Sequence, residues 1–271
     1  MDILYEIQKS KKYPDVYSPL LARICDEESA KYKKNREILK AVKNRLHVIY
    51  GAFFDKNSVK KAADMINNFT REANMPHIAR LLGELVYMNA SVNERFGFIR
   101  EFYKFIFDSV PVEDIHSVLD IGCGFNPFFL TFILEAAPKL KLDNYYSLDI
   151  DVRLAGAINE YLSFLRFPKN AGCMDIVAKT PDQTADMAFL FKIIPTIENC
   201  KKGRAFEILS EIGVKYAAVS FPTKTLCGKN VGMADNYAEL FEKNIDHDKF
   251  KITGKHIFEN ELVYVLEKLK I

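Results

Sequence analysis

Ser117 to Pro127 reads SVLDIGCGFNP: a short strand ending at Ile121, two glycines flanking Cys123, and a helical pattern beginning just past the proline. A glycine-rich turn of this kind lets a ligand approach the backbone. The helix that follows presents unpaired N–H groups and the positive end of its dipole. Outward from this point, short apolar runs alternate with helical segments, the pattern of a mostly parallel sheet with crossover helices. The strands expected are Ser117–Ile121, Tyr145–Ile150, Asp186–Phe191 and Ala217–Phe221, closed by a pair at Lys251–Ile257 and Glu261–Leu266. Helices are expected near Phe128–Ala136, Arg153–Leu165, Lys201–Ile212 and Asn236–Lys243.

This texture begins at Pro111. Before it the chain reads as helices. Ser18-Pro19 is expected to cap one; Glu37–Phe54, Val59–Phe69 and Ile78–Met88 carry helical stripes, and another runs from Ser91 to Phe107. From Lys9 to Lys61 there are 14 Lys and Arg against 6 Asp and Glu, whereas the whole chain carries only +2. The expected organisation is therefore a small, basic, all-helical domain at 1–108 followed by an α/β domain at 109–271. A concentrated basic surface suits a polyanion, although a solvated helical face has the same composition.

A dinucleotide site would want a third glycine where Pro127 stands, which argues against a nicotinamide cofactor. The form Asp120-x-Gly122-x-Gly124 is instead similar to the first motif of class I, Rossmann-like methyltransferases. Asp149 ends the second strand, where a carboxylate can accept hydrogen bonds from a ribose diol. Asp151 is expected to cap the next helix. Asp175 is either the carboxylate that meets an adenine amino group or a turn aspartate.

Several further motifs stand in order along the chain: Ser10-Lys11-Lys12-Tyr13, Arg45-Leu46-His47 with Gly51-Ala52, and Ser91-Val92-Asn93-Glu94-Arg95. After these come Phe191-Lys192-Ile193-Ile194-Pro195, the run SFPTKTLCGKNVGMADNY from Ser220 to Tyr237, and Asn260-Glu261-Leu262-Val263-Tyr264. With SVLDIGCGFNP, this set resembles the aminoglycoside-resistance 16S rRNA methyltransferases, which methylate N7 of a guanine in the decoding site of the 30S subunit. The resemblance implies S-adenosyl-L-methionine as cofactor and S-adenosyl-L-homocysteine as product. It assigns Arg95 to the methionine carboxylate, Gly122 and Gly124 to the methionine and ribose, Asp149 to the ribose hydroxyls, and Asp175 with Ile176 to the adenine. Asp120, Asn126, Ile150 and Phe191 complete the implied cofactor set. Lys192, Pro195, Ser220 and Phe221 fall where class I enzymes place the target base.

The chain departs from the family at Asn89 and Val92, where His and Thr are usual, and at Val231 and Ala234, where Lys and an acid are usual. These positions bear on substrate fit and the level of resistance, so methylation of another rRNA position or of a small molecule is the alternative. Guanine N7 has a free lone pair, so transfer needs alignment and no general base. The Asn/Asp-Pro-Pro-Tyr/Phe element of exocyclic-amine enzymes is replaced here by Lys192-Ile193-Ile194-Pro195. Cys227 follows Leu226, which does not match the Pro-Cys nucleophile of covalent enzymes. Phosphate contacts are expected from Lys11, Lys12, Arg45, Lys60, Lys61, Lys224 and Lys229. Met1–Ser10 has no apolar leader, no run approaches membrane-spanning length, and five scattered cysteines show no metal pattern. The expectation is a cytoplasmic, metal-free monomer.

Overall fold

Strand β1 (Ser117–Ile121) is buried from Val118 onward because both faces of the sheet are covered at its centre. The computed structural model describes residues 3–10, 12–51, 57–72, 78–223 and 232–269. In it β1 pairs in parallel with β2 (Asn144–Asp149) on one side and β4 (Thr184–Phe191) on the other. β3 (Ala171–Cys173) extends the sheet beyond β2, and β5 (Gly213–Pro222) extends it beyond β4. β7 (Glu261–Lys268) and β6 (Phe250–Ile257) close the far edge antiparallel, giving the order β3-β2-β1-β4-β5-β7-β6. The order reverses between β1 and β4, so a crevice opens at the carboxyl ends of these two strands.

Successive strand residues point to opposite faces. Val118, Met187 and Phe189 face α4 (Ser58–Glu72), α5 (Ile78–Val86), α7 (Ile99–Asp108), α8 (Leu130–Ala136) and α9 (Val152–Phe164). Leu119, Ala188 and Leu190 face α10 (Ile194–Cys200), α11 (Arg204–Glu211) and α12 (Met233–Asn244). The apolar side chains of 59–107 thus join the sheet's own core. By contrast α1 (Ile3–Gln8), α2 (Ser18–Ser29) and α3 (Asn35–Leu46) form a separate cluster, packed against Ile150. No helix among the described residues is long and apolar enough to cross a membrane.

Several elements differ from the expectation. β3 has only three half-buried residues and no apolar run to announce it. The segment from Ser91 divides into α6 (Ala90–Phe96) and α7, broken at Gly97-Phe98. Tyr17, not Ser18, is the residue before α2, and the Ser18 hydroxyl instead accepts from Gln8 Nε2 at 3.2 Å. The helix expected from Glu37 changes to a π turn at His47–Gly51, which directs Ile49 and Tyr50 toward the crevice. An additional helix, α10, starts at Ile194, with Pro195 in its first turn.

Candidate active site

The turn after β1 needs its glycines. Gly122 has φ of +65° and Gly124 of +51°, and a Cβ on Gly122 would stand 2.8 Å from the Ile193 side chain. With no side chains in the way, the backbone reaches the ends of β1 and β2. The N–H of Gly122 donates to Leu148 O at 2.8 Å, and that of Gly124 donates to Asp149 Oδ2 at 2.8 Å. Asp149 Oδ1 also accepts from Ile150 N at 2.7 Å. Burial raises its carboxyl above the usual range, and these backbone donors only partly offset that. Asp151 caps α9, as expected, by accepting from Leu154 N at 2.8 Å.

The floor of the cleft is a buried polar chain. Asp120 Oδ2 accepts from Asn126 Nδ2 at 2.8 Å and from Tyr145 Oη at 2.6 Å. Burial pushes its carboxyl up to about 6 despite those donors. Asn126 Oδ1 accepts in turn from Tyr103 Oη at 2.5 Å and Arg95 Nη1 at 3.3 Å. The Arg95 guanidinium lies over the rings of both Phe102 and Phe191, 4.3 and 4.6 Å from their centroids. It grips Glu261 bidentately, Nε to Oε2 at 3.0 Å and Nη2 to Oε1 at 2.5 Å. Glu261 is fully buried; it also accepts from the Ser220 hydroxyl and lies 3.4 Å from Lys192 Nζ. Burial alone would raise the Glu261 carboxyl, but the charges of Arg95 and Lys192 outweigh it and hold the group below its ordinary range.

The roof comes from the N-terminal helices. Leu20 and Arg23 on α2, with Ile49 and Tyr50 on the π turn, line the same cleft as the β1 loop. Arg23 forks onto Asp175, with Nε 2.5 Å from Oδ2 and Nη2 3.1 Å from Oδ1. Tyr50 Oη donates to Asp151 Oδ2 at 2.5 Å. A short antiparallel clasp adds Tyr17 N to Ile150 O and Val152 N to Asp15 O, each 2.8 Å.

All ten residues expected at the cofactor, together with Lys192, line this one cleft. Pro195, Ser220 and Phe221 do not. Pro195 is half-buried in the first turn of α10, while Ser220 and Phe221 are wholly buried. Phe221 stacks on Tyr237 in the core behind the sheet. Of the phosphate-contact residues, Lys60 and Lys61 are exposed on α4, and Lys12 Nζ donates to His47 Nδ1 at 3.2 Å. Arg45 turns inward and is tied to Glu27 and Glu28 at 2.5 and 3.0 Å. Lys11, Lys224, Lys229, Val231 and Cys227 lie outside the described residues. Asn89 accepts from Val92 N at 3.0 Å and so caps α6, a use to which its side chain is well suited. Arg23, Tyr50 and Glu261 were not anticipated. Only Glu261 left a readable signal, an acid placed directly before the apolar run from Leu262 to Leu266.

The cleft fits an adenosyl cofactor. Carboxylates stand at the ends of β2 and β3, Ile150, Ile176 and Phe191 add apolar faces to the same cleft, and a Cβ-free backbone cradle sits at Gly122 and Gly124. Fold and cleft together define an S-adenosylmethionine-dependent methyltransferase. Residues 9–265 match the family model of the FmrO ribosomal RNA methyltransferases. The chain is 30% identical to a 16S rRNA (guanine(1405)-N(7))-methyltransferase of Serratia marcescens, over 98% of both chains. A protein of the same name from Proteus mirabilis is 28% identical over 99% of this chain and 97% of its own. Among solved structures, the 16S rRNA methyltransferase RmtF in complex with S-adenosyl-L-homocysteine superposes with a TM-score of 0.83 at 28% identity, covering 98% of this chain and 96% of that one. The 16S rRNA methylase RmtB gives 0.77 at 27% identity, covering 98% and 97%. The chain belongs to the FmrO family of ribosomal RNA methyltransferases.

Proposed function

We propose that this enzyme transfers the methyl group of S-adenosylmethionine to N7 of a guanine in the decoding site of 16S rRNA within the 30S subunit, the position numbered 1405 in the names of its relatives. Aminoglycoside resistance follows from that modification. The observation that carries the choice of a ring nitrogen is the state of the acids around Arg95 and Lys192. Glu261 is held by Arg95, Glu94 accepts from Lys192 Nζ at 2.6 Å, and Asp120 is held by Asn126 and Tyr145. None is placed as a free general base, and N7 requires none.

The cofactor, when bound, supplies an electrophilic methyl group on its sulfonium. Asp149 would accept the ribose hydroxyls, Ile150 and Ile176 would flank the adenine beside Asp175, and Arg95 would stand toward the methionine. Roofed by α2 and the π turn, the cleft excludes water and fixes the direction of transfer. The target base must leave its stack, at a cost of a few kcal/mol offset by phosphate contacts.

The helical part to about residue 108 serves recognition. With Arg45 turned inward, the exposed row Arg36, Lys40 and Lys43 on α3, continued by His47 at the start of the π turn, joins Lys12, Lys60 and Lys61 as the phosphate-facing surface. The enzyme acts in the cytoplasm as a monomer. Incubation with labelled S-adenosylmethionine, using intact 30S subunits and naked 16S rRNA in parallel, tests this reading. Strand cleavage at 7-methylguanine then maps the label. Label at one decoding-site guanine, in assembled subunits only, is the expected result. An unlabelled subunit with cofactor binding intact refutes the assignment.

A further inference from the structure

Glu94 lies next to Arg95 on α6, half in solvent, while its neighbour is buried. Its Oε2 accepts from Lys192 Nζ at 2.6 Å, and its backbone carbonyl accepts from Asn260 Nδ2 at 3.2 Å. Oε1 has no hydrogen-bond partner among the described residues. Lys192 is in the left-handed region, with φ of +56°, a conformation rare for a residue with a Cβ. Its N–H is fixed to Ser220 O at 3.0 Å, and its side chain lines the cleft beside Phe191. A strained backbone thus delivers an ammonium that lines the cleft to a carboxylate just outside it, one residue from the cleft-lining Arg95. An ammonium has three protons to donate, so Lys192 keeps capacity beyond Glu94 and Glu261.

We propose that Glu94 and Lys192 together read the Watson–Crick edge of the target guanine, an inference that rests on the substrate reading above. Glu94 accepts from N1–H and from the 2-amino group, and Lys192 donates to O6. Guanine alone among the four bases presents an acceptor followed by two donors along this edge. Adenine N1 and cytosine N3 would turn a lone pair toward the carboxylate, and uracil lacks the second donor. The edge is free because the base has left its stack. N7 lies on the opposite side of O6 from N1, so contacts to the Watson–Crick edge leave its lone pair open to the methyl donor. Charge-assisted bonds of this kind discriminate strongly between partners that differ by one donor.

The test compares 30S subunits reconstituted with guanine or with inosine, which lacks the 2-amino group, at the target position. Wild type and Glu94→Gln are assayed on both, and S-adenosylhomocysteine affinity is measured by calorimetry for each protein. Wild type is expected to lose roughly ten- to hundredfold in kcat/KM on inosine, although inosine leaves its pair more easily. E94Q is expected to bind the cofactor product normally, to lose a comparable factor on guanine, and to discriminate between the two bases by less than about threefold. A purely structural role for Glu94 would lower both rates and keep their ratio, and that result overturns the proposal. Equal wild-type rates on the two bases also overturn it, whether or not E94Q folds. Wild type inactive on guanine subunits would instead bring down the substrate reading and this inference with it.

Discussion

Replacing Glu261 with Gln removes a single buried negative charge around which two cations are arranged. Arg95 is 2% exposed and loses the partner of its bidentate contact; Lys192, 6% exposed, loses a counter-charge 3.4 Å away but keeps Glu94 at 2.6 Å. Leaving a buried guanidinium uncompensated costs about 3–5 kcal/mol. For a chain of this size that lowers Tm by roughly 5–9 °C. Arg95→Met, which strands Glu261 with only Lys192 and Ser220, is expected to cost a similar amount. In the double variant neither charge remains stranded, so its cost is expected to be close to that of one single change, a coupling of about 3 kcal/mol. Urea unfolding followed by circular dichroism near 222 nm measures all four proteins; the chain has no Trp, so fluorescence is a poor probe. Costs that add to within about 0.5 kcal/mol would refute the account, because they would mean the pair acts as two solvated groups.

Asp120 predicts a pH dependence. Its carboxyl is held at about 6 against an ordinary value of 3.8, so the folded state binds the proton more tightly. Stability from this group is fully present below pH 3.8 and is lost as pH rises through about 6. Asp120→Asn should therefore gain on wild type by about 1–3 kcal/mol between pH 5 and 7.5, as read by urea unfolding at both. A difference independent of pH would count against it. Arg23→Ala leaves Asp175 buried without its fork and opens the roof of the cleft. It is expected to cost about 1.5–3 kcal/mol in the apo protein and to weaken S-adenosylhomocysteine binding in calorimetry. Unchanged affinity would show that the roof does not bear on the cofactor.

Much of the sheet was legible because its strands are apolar on both faces and begin or end at turn residues. β1 coincides with the stretch read as a strand, and β7 begins at the expected Glu261. The residues expected at the cofactor could be read as neighbours for a related reason: they stand on loops after parallel strands, which the sheet brings to one end, and they line one cleft. What stayed hidden depends on partners distant in sequence. Arg23 meets Asp175 across 152 residues, and Arg95 meets Glu261 across 166. Neither contact has a local period or spacing to reveal it. The ion pairs of Arg45 were hidden for the same reason, since charge composition records a guanidinium but not the Glu27 and Glu28 it meets. Ser220 and Phe221 sit at the expected end of β5, but Glu261 on the neighbouring β7 holds the Ser220 hydroxyl, and Tyr237 and Phe241 on α12 bury the Phe221 ring.

The clasp between residues 15–17 and 150–152, with the Arg23 fork beside it, sets an order of events during synthesis. Helices α1 to α3 leave the ribosome long before the turn that receives them. At translation speeds of roughly 5–20 residues per second, Arg23 waits about 8–30 s for Asp175. The cradle at Gly122 and Gly124 is made within that interval, and its roof is not tied down by the Arg23 fork until Asp175 follows. The enzyme therefore becomes competent to methylate rRNA only after most of its own chain has been translated.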